Sequence, residues 1–447
     1  MARIDNRIIF LVIVVIVVAV VVDTSIVAIA TSAGGMKSSI SDILLFSLMV
    51  TIFALGQFII LRYVRGKFLN HKNETGITAS HVQWMNRITT IVQYALVAIL
   101  ASIVFQISFF SSYHIYSLLS VMLISYGLSL LLLSLLAKRF FSWYRLNRNS
   151  VVLFYGLAMT VISINAVVTM LYVNFMLTDK PPYIQSIRSL TGSLSNPDVV
   201  FDLAYTSTAI IFFILTWIAT VLLLKNHSKK LGNIKYWVLV SIPLVYFLSQ
   251  FQPLFLFTFA EYRMSDPVLF GIVYTLLFSL SKPLGGVLFG VAFWMVSRSL
   301  KESKVKNYLI ISAYGMTLLF ASNQPTSLIL APYPPFGLVT VCFIGLASYL
   351  LYLGIYSSAV SVSEDARLRQ TIRKAALKES QQFLDAIGSA EMEQEVERKV
   401  IRFSKRTKDL MEQETGISTS LDDDDMKRYL EEVLMEMQDM KKNIHNQ

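Results

Sequence analysis

Long apolar segments, separated by short polar pieces, dominate the first 360 residues. A hydrocarbon core about 30 Å thick requires roughly 17–25 apolar residues for one helical crossing. The pattern therefore predicts an all-α membrane protein with a bundle of ten transmembrane helices over residues 1–360, followed by a cytoplasmic helical tail over 361–447. The predicted spans are 8–30, 43–61, 88–110, 115–137, 151–177, 205–224, 236–260, 268–297, 308–322 and 336–360.

Basic residues orient these spans. In chain order, the pieces outside them carry 2, 1, 5, 0, 4, 2, 4, 1, 4 and 0 Lys plus Arg, and the tail carries 15. Short loops keep Lys and Arg on the cytoplasmic side, so both termini are predicted to be cytoplasmic. The alternation also favours one crossing for 268–297, because a split would place the basic loop 298–306 outside.

The first apolar segment has a second interpretation. A basic start, an apolar core and the A-x-A-like sequence at 28–30 are also typical of a cleaved signal peptide. The segment continues past Asp23 to full spanning length, which favours a retained helix. Cleavage would leave nine spans with the remaining topology unchanged.

Composition fits an integral membrane protein and excludes several partners. The chain is 55% hydrophobic and 15% charged, far from the range of soluble domains. Its net charge of +10 combines a basic part, residues 1–360 with 24 Lys plus Arg against 10 Asp plus Glu, and an acidic tail with 15 against 19. We interpret the basic excess as topology and predict no nucleic-acid partner. A lone cysteine, Cys342, and five scattered histidines predict no disulfide, metal site or cofactor.

Asp23 and Lys282 are the charged residues that fall well inside predicted spans. A charge at the bilayer centre costs about 2.5–3.5 kcal/mol on insertion scales, so such groups usually face the bundle interior and find a partner. Their predicted depths are compatible with an ion pair. The pair is either a coupling-ion or proton site, or a buried salt bridge that locks the first span to the eighth.

Lys282 lies in a stretch that should interrupt its helix. Pro283 removes a backbone donor, and Gly285 with Gly286 relaxes the helix beyond it. Transporters use such broken helices to bind substrate, whereas the GxxxG spacing from Gly286 to Gly290 would serve a packing face. The polar residues predicted to line a cavity beside this break are Gln250, Gln252 and Ser281.

One outer loop and the tail complete the predicted organisation. The uncharged, proline-rich segment 322–337 is either a lid over a cavity or a cap on the bundle. No proline or glycine interrupts 356–387, so the last span is predicted to continue as one rod into the cytoplasm. A later two-heptad seam predicts fold-back or coiled-coil pairing with a protein partner or second copy. The seam residues are Met426, Leu430, Val433, Met437 and Met440.

The stretch YPPFGLVTVCFIGLASYLLYLGIYSSAVSVSEDARLRQ, residues 333–370, is followed by EMEQEV at 391–396. Together these stretches, about a quarter of the chain, resemble uncharacterised multi-pass membrane proteins of ammonia-oxidising archaea. The resemblance implies the plasma membrane of an archaeal cell and carries no activity with it.

No P-loop, kinase motif set or dinucleotide fingerprint occurs in the sequence, so no catalytic residue and no enzymatic activity are predicted. The leading hypothesis is a non-enzymatic membrane sensor or signal transducer, in which the bundle perceives a signal and the tail presents it. The alternative is a secondary transporter that uses Asp23, Lys282 and the break at Pro283. A membrane scaffold or assembly factor is the third possibility.

Overall fold

A computed structural model of the chain describes residues 6–32, 40–68, 77–178, 180–185, 199–251, 265–298, 300, 304–329, 332–365, 369 and 379–415. These residues are helical except for short connections and two strands. The helices are α1 (Asn6–Ser32), α2 (Ile40–Phe68), α3 (Ile77–Phe110), α4 (Ile115–Leu146), α5 (Ser150–Thr178), α6 (Val199–Leu231), α7 (Asn233–Ser249), α8 (Pro267–Ser279), α9 (Ser281–Arg298), α10 (Lys304–Ser322), α11 (Thr326–Ile329), α12 (Leu338–Glu364) and α13 (Glu379–Thr415). The strands are β1 (Ser112–His114) and β2 (Tyr183–Gln185).

Apolar length identifies the membrane-crossing helices. Among the described residues, eight helical segments are long and apolar enough to cross a membrane: Arg7–Val27, Ile40–Lys67, Val82–Phe110, Ile115–Leu146, Ser150–Thr178, Val200–Lys225, Leu277–Arg298 and Leu338–Glu364. The chain is therefore an all-α, multi-pass membrane protein, as the sequence predicts. The helices at the predicted seventh and ninth spans are α7, with 17 residues, and α10, with 19; neither belongs to this set of eight.

Large apolar side chains remain exposed on the outside of the bundle. Phe10 of α1, Ile91 of α3 and Phe109 of α3 are 59%, 69% and 71% exposed. A soluble protein would bury such a surface, whereas a bilayer solvates it at no cost. The exposed apolar residues are thus consistent with contact to lipid.

α12 is the central helix of the bundle. Its most apolar stretch is entirely buried, whereas those of α1 and α3 are 44% and 28% buried. A helix that is apolar all round belongs inside a larger assembly, and α12 packs against α10, α4, α13, α2, α3 and α1.

Glycines allow α9, α10 and α12 to pack closely. A Cβ atom on Gly315 of α10 would lie 2.5 Å from the backbone nitrogen of Leu351 in α12. One on Gly286 would lie 2.7 Å from Cβ of Phe320 in α10, and one on Gly290 would overlap Thr317. The GxxxG spacing in α9 therefore faces α10, where small residues let two membrane helices approach.

The bundle has two distinct ends, which we name by the elements that cover them. At the strand end, β1 pairs antiparallel with β2, and the Tyr113 hydroxyl donates to the Pro332 carbonyl at 2.8 Å. Burial raises the pKa of Tyr113 well above its usual range, so the phenol stays protonated and able to donate. At the opposite, tail end, α13 packs across α12, α4, α6 and α5.

The prediction of one uninterrupted rod from the last span into the tail is wrong. α12 ends at Glu364, and its C-cap, Asp365, is extended, with φ −96° and ψ 99°. α13 then returns to the base of the bundle and buries an apolar stripe that includes Phe383, Ile387 and Ala390. Removing these side chains from water outweighs the continuation of a solvated helix. The predicted seam at 426–440 lies outside the described residues.

Candidate functional site

The helix break predicted near Pro283 begins three residues earlier, at Leu280. α8 ends at Ser279 and α9 starts at Ser281, with Leu280 as a single turn residue between them. Pro283 explains this position, because its ring would clash with the carbonyl four residues before it, that of Ser279. As the third residue of α9, Pro283 also loses no helical hydrogen bond, since the first N–H groups of a helix have no intrahelical acceptor.

The carbonyls freed by the break are taken up by side chains from three places. Ser281 Oγ donates to the Phe278 carbonyl at 2.7 Å, and Gln324 Nε2 donates to the Ser279 carbonyl at 3.2 Å. The Tyr246 hydroxyl donates to the Leu277 carbonyl. Satisfied in this way, the break can persist inside a membrane, where an unpaired carbonyl is costly.

Lys282 lies immediately after the break and points into the bundle. Its Nζ donates to the Tyr205 hydroxyl at 2.9 Å and to the Asn323 carbonyl at 3.1 Å. Both acceptors are neutral. In the described part of the chain, no carboxylate lies within 4.0 Å of this amino group.

A buried network of neutral polar groups extends from Lys282 toward α4 and α5. The Tyr126 hydroxyl donates to Asn323 Oδ1 at 3.1 Å, and Asn323 Nδ2 donates to Asn165 Oδ1 at 3.3 Å. Asn165 Nδ2 in turn donates to Thr208 Oγ1 at 2.8 Å. Tyr126, Asn165 and Asn323 are at most 3% exposed. We call these residues, with Lys282 and Tyr205, the Lys282 network.

Asp23 has a different environment, as a cap on the N-terminus of α12. Its carboxylate accepts from the Gly337 N–H at 2.9 Å, the Thr340 N–H at 3.0 Å and the Thr340 hydroxyl at 2.8 Å. The N–H groups at a helix start have no intrahelical acceptor, and the positive end of the helix dipole favours an anion there. A carboxylate from α1, with no exposed surface, thus satisfies the start of the central helix.

Asp23 and Lys282 have separate partners in the structure, instead of the predicted ion pair with each other. Among the described residues, the ion pairs within 4.0 Å do not include the two together. The physical reason is that each carboxylate oxygen of Asp23 already accepts from a backbone N–H, and Lys282 faces oxygens of α6 and of the end of α10. Whether either residue serves as a coupling site stays a prediction.

The other predicted site residues lie around the break. Gly285 packs against Phe213, whose ring atoms would be 2.5 Å from an added Cβ atom. Ser281 is buried, and its hydroxyl donates across the break to the Phe278 carbonyl of α8. Gln250 is the C-cap of α7, and its carbonyl accepts from the Tyr274 hydroxyl at 3.1 Å. Gln252 lies outside the described residues.

A second charged cluster, which the sequence did not reveal, fixes α13 to the tail end. Glu391 is 2% exposed and accepts from Trp143 Nε1 at 2.9 Å and from Arg398 at 3.0 Å, with Arg139 at 3.8 Å. We call these four residues the Glu391 dock. The sequence does contain one indication of this contact. Glu391 follows Phe383 and Ile387 at intervals of four residues, so it lies on the same apolar stripe of the helix.

The described residues contain no group of three or more His, Cys, Asp or Glu side chains that could hold a metal ion. Comparisons with protein families, with curated proteins and with solved structures find no match for this chain.

Proposed function

We propose that the protein is a non-enzymatic membrane signal transducer in which the central helix α12 couples the strand end of the bundle to α13. The observation that carries this proposal is the position of α12. It is buried along its apolar length, begins at the Asp23 cap at one end and contacts α13 at the other. A packed helix with bistable contacts at both ends can transmit a change between distant sites.

The strand end supplies a surface on which a signal can act. The segment 332–337 leads directly into α12, and it is held by the Tyr113 hydroxyl through Pro332 and by Asp23 through Gly337. A ligand that moves this segment changes the contacts at the first turn of α12. This arrangement supports the lid interpretation of 322–337.

The tail end supplies a surface that can be released. The Glu391 dock joins α13 to α4 through polar contacts, and Asn147 Nδ2 adds a hydrogen bond to the Ala386 carbonyl at 3.1 Å. Arg398 is 42% exposed at its side chain, so part of the dock is in contact with solvent. Contacts of this kind open more readily than a packed apolar core.

The proposal includes ten spans with both termini in the cytoplasm. Adding α7 and α10 to the eight long helices gives this number, because their 17 and 19 residues extend about 26 and 28 Å at about 1.5 Å per residue. The alternating basic loops support the orientation. The plasma membrane of an archaeal cell stays the predicted location, based on the resemblance of residues 333–370.

Reciprocity of coupling provides the test. Tyr113→Phe removes the hydroxyl that holds the Pro332 carbonyl, and Glu391→Gln weakens the dock. We expect each change to alter hydrogen–deuterium exchange at the opposite end of the bundle, with the full chain in nanodiscs: Tyr113→Phe at 382–401, and Glu391→Gln at the amides of Tyr333, Phe336 and Gly337, since residues 332, 334 and 335 are prolines without an N–H. Coupling between two sites acts in both directions, so both effects are expected.

Thr178→Val is the matched control, because its hydroxyl bonds within its own exposed turn, to the Asn174 carbonyl. It should leave exchange of α13 unchanged. Exchange that changes only locally in both variants, with no effect at the other end, would contradict transduction through α12.

A secondary transporter is the second candidate, favoured by one observation: a broken helix presents Lys282 to a buried polar network without a carboxylate partner among the described residues. Broken helices of this kind bind substrate in transporters. Proteoliposome uptake of candidate solutes, with and without a proton gradient, tests this function. A Lys282-dependent flux would favour transport, and a transducer moves no solute.

A further inference from the structure

The last turns of α4 present two different faces at the tail end. One face belongs to the contact with α13: Trp143 and Arg139 approach Glu391, and Ser142 accepts from Gln394 Nε2 at 2.6 Å. These contacts are made within the protein. The neighbouring face of the same turns is directed elsewhere.

The second face lines a groove of about 570 Å³ formed by Phe141, Tyr144, Arg145 and Arg148. The first three follow helical spacing, at positions i, i+3 and i+4, and Arg148 comes one turn later, just past the helix end. Both arginines are exposed. Neither guanidinium has a carboxylate within 4.0 Å among the described residues. The groove thus pairs two uncompensated cations with two aromatic rings.

The depth of the groove corresponds to the lipid headgroup layer. α4 starts at Ile115, and a hydrocarbon core of about 30 Å takes up about 20 residues at about 1.5 Å each, which ends near residue 135. Lys138 is the first charged residue of α4. Residues 141–148 therefore follow the hydrocarbon core by one to three turns, where aromatic and basic side chains meet phosphate groups.

We propose that this groove binds the phosphate group of an anionic membrane lipid. Arg145 and Arg148 supply planar donors that match phosphate oxygens, and guanidinium groups bind phosphate in a bidentate manner. Phe141, on the hydrocarbon side, contacts the upper acyl chain, and Tyr144 lies between the two. Basic pockets beside membrane helices recognise anionic headgroups by this chemistry. The site is independent of the proposed transducer function.

The test measures lipid affinity of the full-length protein in detergent, by native mass spectrometry or fluorescence. The probes are a phosphatidylglycerol and a phosphatidylcholine with the same acyl chains. Arg145→Gln and Arg148→Gln are each expected to weaken phosphatidylglycerol binding about five-fold, with phosphatidylcholine unaffected. Lys138→Gln, which removes one exposed positive charge from the same helix, is the matched control and should change affinity less than about two-fold.

Arg145→Lys keeps the charge and checks folding: we expect affinity between those of the native protein and Arg145→Gln. Equal losses in Lys138→Gln and the two arginine variants would overturn the site in favour of a diffuse surface charge. Inorganic phosphate distinguishes the source of the anion. If phosphate at millimolar concentration displaces phosphatidylglycerol, the groove takes a free anion and the lipid assignment fails; unchanged lipid binding supports it.

Discussion

Replacing Asp23 with alanine should destabilise the bundle more than any other single polar change at the strand end. The substitution leaves the backbone N–H groups of Gly337 and Thr340 without their acceptor. The Thr340 hydroxyl retains an alternative acceptor, the Val20 carbonyl at 3.3 Å. Two buried donors are therefore left unpaired, in a position that water reaches poorly.

The expected magnitude follows from those two donors. An unsatisfied buried donor costs about 1–3 kcal/mol, so the two together cost about 2–6 kcal/mol. Asp23→Asn keeps one acceptor oxygen but turns an amide donor toward the second N–H, so we expect about half of that loss. Thr340→Val removes only the hydroxyl and should cost about 1 kcal/mol.

The assay is reversible unfolding of the purified protein in mixed micelles, with the free energy of unfolding compared among variants. Thr24→Val is the matched control from the next position of α1, because its hydroxyl bonds to the Val20 carbonyl of its own helix at 3.0 Å. It should cost less than about 0.5 kcal/mol. Asp23→Ala within 1 kcal/mol of this control would refute the capping role.

A double-mutant cycle on Asp23 and Lys282 tests whether Asp23 acts as a helix cap or as an ion-pair partner. Asp23 and Lys282 share no partner among the residues that the structure describes, so the losses from Asp23→Asn and Lys282→Met should add within about 0.5 kcal/mol. An ion pair would make the double variant more stable than the sum of its parts, because neither charge would be left buried alone. Rescue of Asp23→Asn by Lys282→Met would restore the pairing hypothesis.

Three further predictions concern packing, the Lys282 network and the dock. Gly315→Ala forces its Cβ atom against the α12 backbone and should lower the unfolding midpoint, whereas Gly127→Ala, with open space around it, should raise stability by about 0.5–1 kcal/mol. Asn165→Ala leaves the Asn323 amide without its acceptor and should cost about 1–3 kcal/mol in the same unfolding assay. Raising KCl from 0.1 to 1 M should speed amide exchange in α13 about two-fold by screening the pair between Glu391 and Arg139, the charged contact that joins α13 to α4, and unchanged exchange would contradict that contribution.

The sequence predicted those features that depend on position along a single helix. Apolar length located the membrane helices, and Pro283 located the break to within one turn, because both effects act within the chain's own backbone. The same criterion of apolar length placed a span at 336–360, the segment that forms most of α12. The structure adds that this helix is the centre of the bundle.

Contacts between helices could not be predicted in the same way. The sequence predicts how deep Asp23 and Lys282 lie along their helices. Their partners also depend on the direction in which each side chain points and on which helix lies next to it, and the sequence predicts neither. Backbone groups also competed for Asp23, and sequence patterns do not show which helix start lies nearby. The tail shows the same limit, because the stripe through Phe383 and Ile387 predicts an amphipathic helix without naming the surface that buries it.

Asp23 and Lys282, inside the bundle, are stabilised by different kinds of partner from those of Glu391 in the Glu391 dock. Asp23 and Lys282 lie where water is scarce, and each is held by neutral dipoles whose partners are fixed by packing. Glu391 lies at the tail end and is held by two arginines, both partly exposed to solvent. Neutral dipoles are little affected by salt, whereas charge pairs near water respond to ionic strength and to competing anions. The contact that responds to ionic strength therefore lies beside α13, at the end of the central helix where the proposed transducer function requires a variable contact.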